Sequence, residues 1–474
     1  MFRSKTRRSA IAAALIILAM AIIALTLGTN YLISPSGTPS ASGLSTVLPH
    51  TLIGQNGLSL LRTNGTEIVD QYGNIVVLRG VDLTGYEYIT PILSIHPHYQ
   101  SDYATIASWG FNVVRLPISW ENLEPQPGQY NDSYLQNFVD QDIAWAKQYG
   151  IYIVLDMHQG CWSSHFSFCN GAFSTGMPNW LVASYPNTDA GEDVFLNDFF
   201  SGLGPNGTTP SASNPSMLTR FYAIWQHVAS RYSNETAIAA YDVLNEPPSI
   251  APLSFFVNVT EAIRTVDQHH ICLWENDVPI QLPDVIYAPH YPQSSLTSYN
   301  ATSLEVGMQQ IIGFSHKWNV PVFIGEWGMQ ADAPGVAQYI NDSLALFDKY
   351  SISSAWWDYA RGSFTMDLFY GNGTAREALV PNIVRPFISE LTNPITQTST
   401  LNLNNGSLIY SQTLNSNEPG QILISIPDGY SIENIQTITG PTVISQASPD
   451  NRTLLLTFPS TASTVVVEYR SQSP

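Results

Sequence analysis

Ala240-Tyr241-Asp242-Val243-Leu244-Asn245-Glu246-Pro247-Pro248 decides how this chain is read. An apolar run enters the stretch, and the polar pair Asn245-Glu246 stands where the run must stop. Pro247 has no N–H to donate, and Pro248 restricts the residue before it, so an extended strand cannot pass through. The stretch predicts a buried strand that delivers an amide and a carboxylate to its C-terminal rim. Val320-Pro321-Val322-Phe323-Ile324-Gly325-Glu326-Trp327-Gly328 repeats the design with a second carboxylate. Two acids, each raised on the end of its own buried strand, predict paired acid–base or nucleophilic work.

Working outward, short apolar runs alternate with amphipathic stretches. Strands are expected at 76–83, 112–118, 152–157, 238–244, 271–274, 285–288, 321–324 and 354–357, preceded by a hairpin over 68–77 that turns at Gly73-Asn74. Helical patterns fall between them at 134–149, 216–231, 253–269, 304–318 and 336–350. Eight strand–helix units predict an α/β fold, a (β/α)8 TIM barrel with reactive side chains on the loops after the strands. The glutamates would then follow strands four and seven and face each other across the barrel mouth. The insertion at 159–214 would overhang that face. From about residue 393, β-branched runs at 401–410, 421–426, 435–438, 453–458 and 464–469 predict a small β-sandwich. The expected domains are thus a barrel with its hairpin over 51–392 and a sandwich over 393–474.

Residues 1–30 read as a targeting segment: Arg3, Lys5, Arg7 and Arg8 precede an uncharged run from Ser9 to about Gly28. Its length lies nearer a membrane span than a signal core. A membrane anchor is therefore expected, with a cleaved signal as the alternative. Either places the remainder outside the cell, secreted or held at the surface. Residues 31–50 read as a Ser/Pro/Gly-rich stalk, and ten Asn-x-Ser/Thr sequons fit export. Charged residues make up only 12% of the 474, with a net charge of −19. This sparse acidic balance lacks the basic face nucleic acid needs and fits a neutral substrate such as sugar; it also fits work in acid. Cys161 and Cys169 can close a small loop or remain as free thiols. Cys272 lies in an apolar run, and no Cys/His spacing marks a metal site. No metal or other cofactor is expected.

In its motifs the chain resembles glycoside hydrolase family five, the cellulase family of retaining barrel glycosidases. Asn245-Glu246-Pro247 looks like the acid/base signature, and Ile324-Gly325-Glu326-Trp327-Gly328 like the nucleophile signature. Val114-Arg115-Leu116-Pro117 matches the arginine that supports the nucleophile, and Asp156-Met157-His158-Gln159 a histidine motif. His290 matches the second histidine and Trp357 the tryptophan under the sugar. The resemblance spans about 75–390, and it implies Glu326 as nucleophile, Glu246 as acid/base and Asn245 as a partner of the sugar 2-hydroxyl. One position departs from the family: His290-Tyr291 replaces His-x-Tyr, so the tyrosine beside the nucleophile is either Tyr291 in a shifted loop or missing. Asp82, Glu87, Glu275 and Asp358 also end strands and read as supporting the site or structural rather than catalytic. Ile383-Val384-Arg385-Pro386-Phe387 and Ile426-Pro427-Asp428-Gly429-Tyr430 resemble the endoglycoceramidase-related branch, which implies a carbohydrate or glycolipid substrate for a β-glycosidase; a monomer is expected, although no residue pattern fixes the oligomeric state. The rivals are an endo-β-1,4-glucanase or mannanase and, from another class, a non-catalytic carbohydrate-binding protein of the cell envelope. The presence of both carboxylates argues against the last.

Overall fold

The computed structural model describes residues 57–88, 97–275, 282–293, 295–362, 364–404, 407–459 and 463–471. The targeting segment at 1–30 and the stalk at 31–50 lie outside the described residues. Among the described residues, no helix is long and apolar enough to cross a membrane.

Eight parallel strands form the centre: β1 (Arg79–Asp82), β2 (Val113–Ile118), β3 (Tyr152–Met157), β4 (Ile238–Asp242), β5 (Ile271–Trp274), β6 (Val285–Tyr287), β7 (Phe323–Trp327) and β8 (Ser353–Trp356). They neighbour one another in the order β7-β8-β1-β2-β3-β4-β5-β6. A parallel bridge from Tyr287 to Val322 joins the two ends, so the sheet closes into a TIM barrel. The strands are buried on both faces, which is why they read as unbroken apolar runs. Amphipathic helices pack outside. Met217–Tyr232 shows the logic: the Ser216 hydroxyl accepts the Thr219 N–H at its start, and Phe221, Ile224, Trp225 and Val228 turn inward at helical spacing. The link from Trp274 to Val285 carries no helix among its described residues, a departure from eight regular units.

The C-terminal region consists of two sheets around a shared core. Strands Phe387–Leu391, Gly420–Ser425, Thr453–Phe458 and Ile444–Ala447 belong to one, and Thr396–Asn404, Ser407–Ser416, Ser463–Ser471 and Tyr430–Thr439 form the other. Ile422, Ile424, Leu454 and Leu456 meet Tyr410, Leu414, Val465 and Val467 between them. The run expected as one strand at 401–410 spans a chain reversal, with Asn404 paired to Ser407.

Three corrections concern the hairpin. Its turn is longer than Gly73-Asn74, covering Asp70 to Asn74, with Val69 opposite Ile75. The strand expected at 76–83 is two strands in two sheets, since Ile75–Val76 pairs with Glu390 and Leu391 whereas Arg79–Asp82 joins the barrel. By hydrogen bonding the hairpin therefore extends the C-terminal sheet rather than the barrel segment. Period-two alternation explains the sharing: Val69, Ile75 and Val77 enter the sandwich core, while Ile68, Val76 and Leu78 face the base of the barrel.

A buried ionic joint ties the two parts. The Asp348 carboxylate, at the end of helix Val336–Lys349, accepts from Arg79 at 2.8 Å, Arg385 at 3.0 Å, Ser399 at 2.7 Å and Tyr410 at 2.9 Å. Arg385 is the arginine of the Arg-Pro-Phe motif, and the Arg79 guanidinium lies 4.7 Å over the Phe387 ring.

Candidate active site

β4 ends at Asp242, where the Trp225 indole takes the Val243 carbonyl (3.0 Å) out of the ladder. The chain then turns. Asn245 N–H donates to the Met157 carbonyl, and the Gln159 amide donates to the carbonyls of Asn245 and Glu246. Glu246 itself has φ +40°, and its N–H donates to Glu275 Oε2 at 2.7 Å. A positive φ on a glutamate costs on the order of 1–3 kcal/mol and persists only where its surroundings hold it. On β7, the glycines of the Gly-Glu-Trp-Gly run permit close approach. A Cβ on Gly325 would lie 2.7 Å from His290 Nε2, and one on Gly328 would lie 2.6 Å from Met366 Cε.

These two turns bring Glu246 and Glu326 together. A carboxylate oxygen of each and a ring nitrogen of His290 all lie within 4.8 Å of one another. Glu326 is gripped from two sides, by Arg115 Nη1 on Oε1 at 3.0 Å and by the Tyr291 hydroxyl on Oε2 at 3.1 Å. Tyr291, at φ +44°, thus stands beside Glu326.

Beneath them Arg115, wholly buried, contacts five carboxylates: Asp82 at 3.1 Å, Asp156 at 3.1 Å, Asp242 at 2.9 Å, Glu275 at 3.4 Å and Glu326 at 3.0 Å. It also donates to Asn245 Oδ1 at 2.9 Å. For three of these acids the cost of burial exceeds what Arg115 returns. Burial pushes the Asp82 carboxyl well above the usual range, Asp242 up to about 6 and Glu275 up to about 8, with Arg115 opposing in each case. For His290 burial works against charge, but Glu275 at 3.1 Å from Nε2 and Glu326 outweigh it and raise the imidazole well above its ordinary value. Glu246 moves the other way. Its hydrogen bond from His290 (3.4 Å) holds the carboxyl below the ordinary range, with burial opposing. Its side chain is 54% exposed at the rim, although the cleft walls surround it.

The remaining expected residues flank this pair. His158 Nδ1 lies 2.7 Å from Asp156, and its ring stacks on Trp357 with centroids 5.4 Å apart and planes at 10°. The Asn245 amide gives one N–H to the Gln159 carbonyl and keeps a second for a ligand. Trp356 points away, into the packing with Trp327. Cys161 and Cys169 form a disulfide in the insertion, which is fastened to the mouth by Glu121 through Ser164 and Thr175. Asp82 and Glu275, expected as supporting or structural, border Arg115, and so do Asp156 and Asp242, which the sequence alone does not single out as site residues. Their signal was an acid inside or just past a buried apolar run. Two trios, Asp242-Glu275-His290 and Glu246-His290-Glu326, could geometrically surround a cation, but the Arg115 guanidinium already contacts three of these carboxylates.

The sequence profile of cellulase (glycosyl hydrolase family 5) matches residues 69–363. The chain belongs to glycosyl hydrolase family 5. Membership makes it a glycosyl hydrolase. Among family relatives, endoglycoceramidase I of Rhodococcus hoagii is 24% identical over 435 residues, covering 79% of this chain and 82% of that protein. Endoglucanase C of Acetivibrio thermocellus is 22% identical over 329 residues, covering 56% of this chain and 84% of the relative. Of solved structures, endo-glycoceramidase II from Rhodococcus sp. in a ganglioside GM3 complex superposes with a TM-score of 0.67 at 20% identity, over 85% of this chain and 99% of that one.

Proposed function

We propose that the protein is a retaining β-glycosidase that splits a β-linked sugar from a lipid. The observation that carries this is the approach of the Glu246 and Glu326 carboxylates to within 4.8 Å. Retaining enzymes use carboxyl groups about 5–5.5 Å apart, whereas inverting ones leave about 6.5–9.5 Å for a water. Glu326, paired with Arg115 and oriented by the Tyr291 hydroxyl, attacks the anomeric carbon. Glu246 donates its proton to the departing oxygen, then takes one from water in the second step. Asn245 holds the sugar 2-hydroxyl through its spare N–H, and Trp357, braced by His158, lies under the ring. Because His290 holds Glu246 below the ordinary range, its acid form exists only in acidic medium, so the alkaline limb of kcat/KM should lie on the acid side of neutrality.

The lipid aglycone is favoured because the likeness to endoglycoceramidase I runs over more of the chain than the likeness to endoglucanase C. The test is the detergent-solubilised full chain on a β-glycosyl ceramide, carboxymethyl cellulose and galactomannan at several pH values. Release of ceramide supports the reading, and preference for a soluble polysaccharide supports the β-glucanase or mannanase alternative. We further propose that the basic-then-apolar segment at 1–30 exports a monomeric enzyme and anchors it or is cleaved to release it. The disulfide agrees with an oxidising compartment. Partition of the full chain into membranes would support the anchor.

A further inference from the structure

Glu275 directly follows β5, which lies between β4 and β6 in the ring. It therefore stands between the turn that carries Glu246 and the loop that carries His290, and it touches both. Its Oε2 accepts the Glu246 backbone N–H at 2.7 Å, and its Oε1 lies 3.1 Å from His290 Nε2. The other nitrogen of that ring completes a circuit: Nδ1 lies 3.4 Å from Glu246 Oε1 and 3.7 Å from Glu326 Oε2. One carboxylate thus reaches Glu246 twice, at its backbone and, across an imidazole, at its side chain.

Each contact meets a need. Glu246 has φ +40°, which a glutamate keeps only under outside restraint. Gln159 restrains the turn from the β3 side through two carbonyls, and Glu275 from the β5 side through the N–H. At His290 Nε2 the contact is oblique, an ion pair rather than an aligned hydrogen bond, so it acts by charge. Burial raises Glu275 and His290 is the largest influence opposing it; burial disfavours the His290 cation and Glu275 is the largest influence favouring it. Each charge is kept by the other. Arg115 at 3.4 Å and Asp242 also face Glu275, with Asp156 across Arg115. Asp82 and Glu326 act on the His290 ring, and His158 and Tyr291 flank Glu246. Among the described residues, Glu275 alone meets both the Glu246 N–H and His290 Nε2.

We propose that Glu275 is a positioning residue for the acid/base, fixing the Glu246 turn directly and the Glu246 carboxyl through His290. The inference rests on the glycosidase reading for the task it gives Glu246. A glutamine cannot take over. Both oxygens of Glu275 face nitrogen, and an amide offers one acceptor only, so its NH2 confronts either the Glu246 N–H or a protonated Nε2. Without the carboxylate the ring binds its proton less well, and Glu246 loses the neighbour that holds its carboxyl low.

The test is Glu275→Gln in the full chain in detergent. Nitrogen NMR of the His290 ring should show it titrating at least about one pH unit lower than in the wild type. On an aryl β-glucoside, kcat/KM at its optimum should fall at least about tenfold, equivalent to about 1.4 kcal/mol in the barrier. Its alkaline limb should move to higher pH. A merely structural Glu275 would lower the melting temperature or the activity and leave both titrations in place, and that result would overturn the proposal. Should the variant not fold, the wild type decides: the Glu275 carboxyl carbon and the His290 ring should respond to pH together, and independent titrations would reject the pairing. A displaced His290 titration in a protein that hydrolyses no glycoside would support the pairing and sink the glycosidase reading alone.

Discussion

Two buried ionic clusters sit at opposite ends of the same barrel with opposite stoichiometry. At the base, one carboxylate, Asp348, is shared by two arginines, a serine and a tyrosine. Arg79 and Arg385 hold its carboxyl below the ordinary range against the cost of burial. At the mouth, one arginine serves five carboxylates, several of which are pushed upward. The base cluster is over-neutralised and joins the barrel to the C-terminal sheets. The mouth cluster has fewer cations than carboxylates even with His290 beside Arg115, so burial pushes Asp82, Asp242 and Glu275 upward while His290 holds Glu246 down. A buried ion pair is therefore not a role in itself; the balance of charges tells the two apart.

Substitutions can break this contrast. At the mouth, Glu326→Gln removes the nucleophile's charge and should lower kcat by more than about 1,000-fold, about 4 kcal/mol in the barrier, with an unaltered circular dichroism spectrum. Near-normal turnover would refute the assignment. At the base, Asp348→Asn leaves two buried arginines without their anion, and denaturant unfolding should show a loss of about 3–5 kcal/mol while folded protein keeps its kcat. A loss of kcat at full stability would show that the base is coupled to the chemistry. Tyr291→Phe removes one donor to Glu326. Since hydrogen bonds to charged groups contribute about 1.5–3 kcal/mol, kcat/KM should fall roughly 10- to 100-fold, with no change in melting temperature.

The smallest effect expected is on stability against pH. Glu275 is raised from 4.5 to about 8 and Asp242 from 3.8 to about 6. Groups raised on folding contribute stability that is complete below their unfolded values and is lost as pH climbs through their folded ones. Asp348 is lowered, so its contribution is present above 3.8 and lost as pH falls through its folded value. The melting temperature should therefore fall by a few degrees between about pH 5 and pH 8, where the mouth titrates and the base does not. Glu275→Gln should flatten that slope; an unchanged slope would place its cause in the surface charge instead.

The mouth was far more legible in the sequence than the base. Strand ends marked by Asn-Glu-Pro and Gly-Glu-Trp-Gly announce themselves, because an acid that interrupts an apolar run needs a chemical reason. The Arg115 partners Asp156 and Asp242 were harder, since their runs continue past them and only the barrel's closure brings them to one cation. Asp348 carried no local signal at all: it is one acid in an amphipathic helix, and its partners come from residues 79, 385, 399 and 410. The hairpin forms as expected, but the sheet it joins was hidden for the same reason. Its pairing with Phe387–Leu391 spans most of the chain, and period-two alternation reports which faces are buried but not by what.

The central claim is that two carboxylates held this close carry out a double displacement. Proton NMR over the first moments of hydrolysis of an aryl β-glycoside reads it directly. The β-anomer of the released sugar should appear first, with the α-anomer following only by slow mutarotation. First appearance of the α-anomer would contradict the account, because a single inversion requires a water between carboxylates set farther apart than these.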